Sequence, residues 1–177
     1  MGSGRMDANE LRALQAPLKT QYREQPETAR IPARAEARLD PERVACAVRS
    51  WHGETEAGLH PAAGGDGSLA CSADMLLEAL VACAGVTVGA VATAMGVIVR
   101  GGRVVAESYW DARGTLGIDR AAPVGLSDIT LRFELDTDAD AATVERLVAT
   151  SERYCVIYQT LRNPPRLSVT HRSADGG

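Results

Sequence analysis

Between Glu78 and Arg100 the chain carries no charged residue. An uncharged stretch beyond ~18 residues is either a membrane span or a helix enclosed by protein. The residues here are mostly Ala, Gly, Thr and Val, which insert weakly compared with Leu, Ile and Phe. No Trp or Tyr belts the ends, and no second such run exists. The run therefore predicts the central helix of a soluble domain, surrounded on all sides, with small residues admitting close neighbours. Ser72 or Asp74 is expected to cap its start and Gly96 to end it, with Val97–Val99 opening a strand.

The flanking segments read as short elements. Met1–Gly4 has the composition of a tag remnant. Leu11, Leu14 and Leu18 recur at helical spacing, so residues 5–29 form a helical arm, with a break expected at Pro17. Residues 31–39 and 43–51 alternate around Asp40-Pro41 and predict a β-hairpin, with a third short strand at 54–59. Residues 60–68 can only be a loop. Residues 97–114 and 128–136 are strand candidates, and Gly101-Gly102 makes the first a hairpin or one long bulged strand. A helix is expected over 137–154, then a short one over CVIYQTL, stopped by Asn163-Pro164-Pro165. RLSVTH alternates and predicts a last strand. The order is α+β with antiparallel pairing, in one domain over 30–177 behind the arm of 1–29.

The composition narrows the chemistry. The net charge is -4 and Lys19 is the only lysine, so no basic footprint points to nucleic acid. Cys46, Cys71, Cys83 and Cys155 include no Cys-x-x-Cys pair, and His52, His60 and His171 are scattered, so the spacing of a zinc site is missing. With no secretory signal at the start, the cysteines predict thiols in a reducing cytoplasm. Such thiols are inert or reactive. The GGDGS loop lacks the Gly-Lys-Ser/Thr of a phosphate cradle. Asp74 and Glu78, one helical turn apart, are as readily capping and surface residues as an acid–base pair. His60 is a candidate pocket residue, and Trp51 and Trp110 read as packing residues. Cys83 lies inside the apolar helix. Cys155 opens a short helix after Arg153-Tyr154, where a thiolate is favoured.

ADMLLEALVACAGVTV, a long gap and then ERYCVIYQTL resemble the osmotically-induced-protein-C / organic-hydroperoxide-resistance (OsmC/Ohr) family. The resemblance covers roughly residues 30–172. It implies an OsmC-like α+β fold, with antiparallel sheets around a long central helix, in an intertwined homodimer with active sites at the subunit interface. It implies a cytoplasmic peroxidase for organic hydroperoxides, with Cys83 as the peroxidatic nucleophile and Cys155 as its resolving partner. An external dithiol, such as a lipoylated protein, would recycle the pair, and no cofactor or metal is called for. The family has a glutamate ten residues before the first cysteine, where this chain has Ala73. Asp74 is the candidate to stand in for it. A supporting arginine is implied from the hairpin, which holds Arg34, Arg38, Arg43 and Arg49. The rival reading is a non-catalytic protein that binds a small apolar ligand on the same fold.

Overall fold

In the computed structural model, which describes residues 5–172, most of the uncharged run lies in one helix, α2 (Ser72–Met95). The tag-like Met1–Gly4 lies outside the described residues. Ser72 and Asp74 do not cap α2. Both already sit in its first turn, and the flanking residue with extended backbone is Cys71, whose side chain makes no capping bond. Gly96 does end it, in the left-handed conformation (φ 69°), and Val97 N–H closes the turn onto Ala92 O at 2.9 Å.

One stripe of α2 is buried: Leu80, Ala84, Val88 and Ala92, each four residues from the last. Val88 and Ala92 meet Leu147, and Val91, Val97, Val99, Phe133 and Leu135 pack around them. The helix is not surrounded on all sides. Within this chain Val86 is 77% exposed, because the neighbouring elements cover only part of its circumference.

The strands form two antiparallel sheets, of which the second packs on α2. The first joins β1 (Glu36–Asp40), β2 (Ala45–Ser50) and β3 (Gly53–Ala57), with Leu39 opposite Cys46 and Cys46 opposite Ala57. The Asp40 carboxylate accepts from the N–H groups of Glu42 and Arg43, which explains the hairpin at Asp40-Pro41. Ala57 bridges in parallel to Ala70, delivering the chain to the start of α2.

The second sheet pairs β4 (Val99–Tyr109) with β5 (Ser127–Thr137). β4 is therefore one long bulged strand: the register slips between Val99 and Gly101, with Arg100 as the extra residue, and Gly101 and Gly102 pair with Asp136 and Leu135 just after it. Gly102 has φ 136°, and a Cβ there would stand 2.1 Å from the Glu134 carbonyl oxygen. A short α3 (Ala112–Thr115) follows β4. After β5 the chain enters α4 (Ala141–Tyr154), capped by Asp140 accepting from Thr143 N–H at 2.7 Å, and then α5 (Val156–Arg162).

Three further expectations need correction. The arm forms one continuous helix, α1 (Ala8–Glu24), opened by a capping box of Asp7 and Glu10. Pro17 does not break it, because Pro17 is exposed and water can reach the carbonyl that lacks a helical donor. The arm packs on α2, and the Arg5 guanidinium donates to Val99 O at 2.6 Å. RLSVTH is unpaired: alternation supplies side chains, but a strand needs a neighbour, and Val169 stands 93% exposed. Trp51 is not a packing residue in this chain. It is 92% exposed on the β2–β3 turn, against His52. Trp110 does pack, edge-on to His60 at 5.4 Å.

Candidate active site

α4 ends at a corner that serves two helices. The Cys155 N–H donates to Ser151 O at 2.9 Å and closes α4, while Cys155 is also the residue that caps α5. Its extended backbone (φ -74°, ψ 110°) turns the chain sharply there. A new helix presents first-turn N–H groups without helical partners. Here those groups meet sulfur. Tyr158 N–H donates to the Cys155 Sγ at 3.5 Å, and the N–H groups of Val156 and Ile157 face the Cys83 Sγ.

α2 brings Cys83 to this corner because it packs along both α4 and α5. The two thiols are close enough to shift one another's proton affinity. Cys83 is half-buried and Cys155 is buried, 1% exposed. Burial by itself pushes the Cys83 thiol up. Hydrogen bonds from Ile157 N–H, the Cys155 thiol and Val156 N–H outweigh that and hold it below the ordinary value. Thr87 adds the smallest contribution, since its hydroxyl already donates to the Cys83 carbonyl oxygen at 2.7 Å. Cys155 is pushed up, first by burial and then by the neighbouring Cys83 sulfur, with Tyr158 N–H opposing. The two thiols are thus driven apart: Cys83 toward the thiolate, Cys155 toward the protonated form.

Asp74 does not join them. It precedes Cys83 by nine residues, which on a helix is half a turn out of phase and roughly 13 Å along the axis. It is exposed in a groove beside Val104–Ala106. Of the hairpin arginines, Arg34 pairs with Glu36 at 2.6 Å, Arg38 with Glu54 at 4.0 Å, and Arg43 with Asp40 and Glu56 at 2.7 and 2.5 Å. Among the described residues Arg49 makes none of these pairs.

Cys46 sits on β2, away from the sulfur pair. Cys71 and His60 share a separate pocket with Trp110 and Leu76, of about 360 Å³. A larger cleft of about 830 Å³ runs between the arm, α2 and β4, lined by Val86, Gly89 and Val104 among others. Among the described residues no group of three or more His, Cys, Asp or Glu could hold a metal ion. Reading the residues alone missed Thr87 and the N–H groups of Val156 and Ile157. The phrase ERYCVIYQTL, a cysteine directly before a short helix, was the signal for the latter.

The comparisons with known proteins bear on this arrangement. A family model described as OsmC-like protein matches residues 65–170, a span that includes both cysteines. The structure resembles an OsmC-like protein from Mycoplasma pneumoniae, with TM-score 0.64, 16% identity, and coverage of 76% of this chain and 90% of that one. It also resembles an organic hydroperoxide resistance protein OsmC from Legionella pneumophila (TM-score 0.59, 17% identity, 76% and 91% covered). An organic hydroperoxide resistance protein from Elizabethkingia anophelis gives 0.54 at 15% identity, with 76% and 92% covered. No curated protein matches the sequence. At these identities the structural likeness establishes the fold, and the family model establishes the lineage.

Proposed function

Because the chain belongs to the OsmC-like protein family, we propose that it is a thiol-dependent peroxidase for organic hydroperoxides, with Cys83 and Cys155 as its working pair. The observation that carries the reading is the packing of α2 on α5, which sets the two thiols to act on each other, Cys83 biased toward thiolate and Cys155 away from it.

The steps follow from that bias. The Cys83 thiolate attacks the terminal oxygen of the hydroperoxide; the S–O bond forms, the O–O bond breaks, and the alkoxide leaves as the alcohol after taking a proton. Cys83 is then a sulfenic acid. The Cys155 sulfur attacks the Cys83 sulfur, the S–S bond forms, and the sulfenic hydroxyl departs as water. Resolution at once protects Cys83 from irreversible oxidation. An external dithiol, such as a lipoylated protein, reduces the disulfide by two exchanges and is itself oxidised. The apolar character of the α2 segment around Cys83 suits an alkyl or aryl hydroperoxide better than hydrogen peroxide.

The working form is a homodimer in the cytoplasm. The open face of α2 around Val86, the exposed Leu39 and Trp51, and the unpaired Leu167 and Val169 are apolar surfaces that a second copy would cover. Such a copy is also the source from which a hairpin arginine would reach the site; Arg49, opposite Glu36 and Glu54 in the sheet register, makes no ion pair among the described residues. Asp74 has no role in the pair within its own chain.

The test is turnover of cumene hydroperoxide with a dithiol reductant. Wild-type protein should turn over, Cys83→Ser should be inactive, and Cys155→Ser should make one equivalent of alcohol and stop. Full activity in Cys83→Ser would end this reading. The 830 Å³ apolar cleft, which Cys83 does not line, favours a second reading as a binding protein for a small apolar ligand. That reading predicts a co-purifying ligand by native mass spectrometry and no peroxide-driven loss of thiols.

A further inference from the structure

Glu152 stands three residues before Cys155, and Tyr158 and Gln159 stand three and four residues after it. The Tyr158 hydroxyl donates to Glu152 Oε2 at 3.2 Å, and the Gln159 amide donates to Glu152 O at 2.9 Å. Both contacts span the corner from α4 to α5 and are half-buried. Nothing in ordinary helix bonding requires either. The backbone bonds at the corner from Cys155 N–H to Ser151 O and from Gln159 N–H to Cys155 O both end at Cys155, and neither joins α4 to α5. Those leave the angle between the helices to be set by side chains. That angle decides whether the first N–H groups of α5 face sulfur and whether Cys155 faces Cys83.

We infer that Glu152 is a positioning residue for the cysteine pair, its carboxylate locking the α4–α5 corner by accepting from the Tyr158 hydroxyl, so that the two thiols are held near each other before any oxidation. The inference rests on the pair being redox-active, as the proposed function holds. Its consequence is thermodynamic. A pair already in place forms its disulfide without first ordering a mobile corner, so the lock makes the disulfide harder to reduce. Loosening it should favour the dithiol.

The experiment is equilibration of the full-length chain in glutathione buffers, where disulfide and two glutathiones exchange with dithiol and glutathione disulfide. Acid quenching and peptide mapping of the Cys83–Cys155 bridge give the equilibrium constant. Tyr158→Phe and Glu152→Ala should each lower the oxidation constant about fivefold, the scale of one hydrogen bond, or roughly 20 mV for a two-electron couple. Glu152→Gln keeps an acceptor for the Tyr158 hydroxyl and should stay within about twofold of wild type. A merely structural role would move melting temperature in all three without this rescue pattern. Should Glu152→Ala fail to fold, Tyr158→Phe removes a single oxygen and still decides the matter. An unchanged or raised constant in Tyr158→Phe overturns the inference. Since glutathione is the oxidant, a chain that forms the bridge but never reduces a hydroperoxide would sink the peroxidase reading and leave this one standing. A chain that forms no bridge at all sinks both.

Discussion

Oxidation should stabilise this protein by an amount that the positions of its two cysteines set. A Cys83–Cys155 bridge closes a loop of about 70 residues, and in the chain-entropy picture such a closure costs the unfolded state about 4 kcal/mol of freedom. The folded state needs only local rearrangement, because the helix that carries Cys83 already packs on the helix that begins at Cys155. A chain of this size gains about 2–4 °C in melting temperature per kcal/mol, so the oxidised form should melt roughly 8–16 °C above the reduced form. The perturbation is one equivalent of cumene hydroperoxide. The assay is thermal unfolding followed by circular dichroism, with and without a phosphine reductant, and non-reducing gels to show that the bridge lies within one chain. Cys155→Ser treated in the same way should show no gain. If mapping finds the bridge and the two forms melt together, the reasoning from loop closure and preformed geometry is refuted. A lower melting temperature on oxidation would mean that the bridge strains the corner.

Three other outcomes follow. A lowered folded-state pKa lets the thiolate persist to lower pH, so iodoacetamide should modify Cys83 with a midpoint below 9.0 and Cys155 with one above it; the opposite order in a mass-spectrometric titration would contradict the site. Leu147 is fully buried against Val88 and Ala92, so Leu147→Ala should cost about 3 kcal/mol by urea unfolding; a loss below about 1 kcal/mol would mean that α4 does not pack on α2 as described. Gly102→Ala places a Cβ 2.1 Å from Glu134 O at a positive φ, so it should destabilise by more than ~1 kcal/mol, while Gly101→Ala, with open space around it, should be mild.

Local chemistry was legible wherever it is decided by neighbours in sequence. The uncharged run, the Gly96 stop and the Asp40-Pro41 turn each depend on a few adjacent residues, and each lies where it was expected. What misled was anything decided at a distance. Pro17 looks like a break until its exposure shows that water can satisfy the freed carbonyl. RLSVTH has the alternation of a strand, but pairing is a property of two segments, and among the described residues the second is missing. The expectation of a fully enclosed helix ran into the same limit, since a sequence shows that a face is apolar without showing which molecule covers it. At the site, Cys83 and Cys155 stood out individually, yet no spacing rule brings residues so far apart together. Their meeting was implied by the family likeness and is laid out by the packing of α2 on α5. Asp74 stands apart from the pair in its own chain for a reason the sequence did contain: nine residues along a helix is half a turn out of phase.

The most direct test of the central claim is a count of thiols. One equivalent of cumene hydroperoxide should remove two of the four thiols per chain, release one equivalent of the alcohol, and leave a bridge that peptide mapping places between Cys83 and Cys155. Four thiols surviving, or a bridge through Cys46 or Cys71 instead, would contradict it.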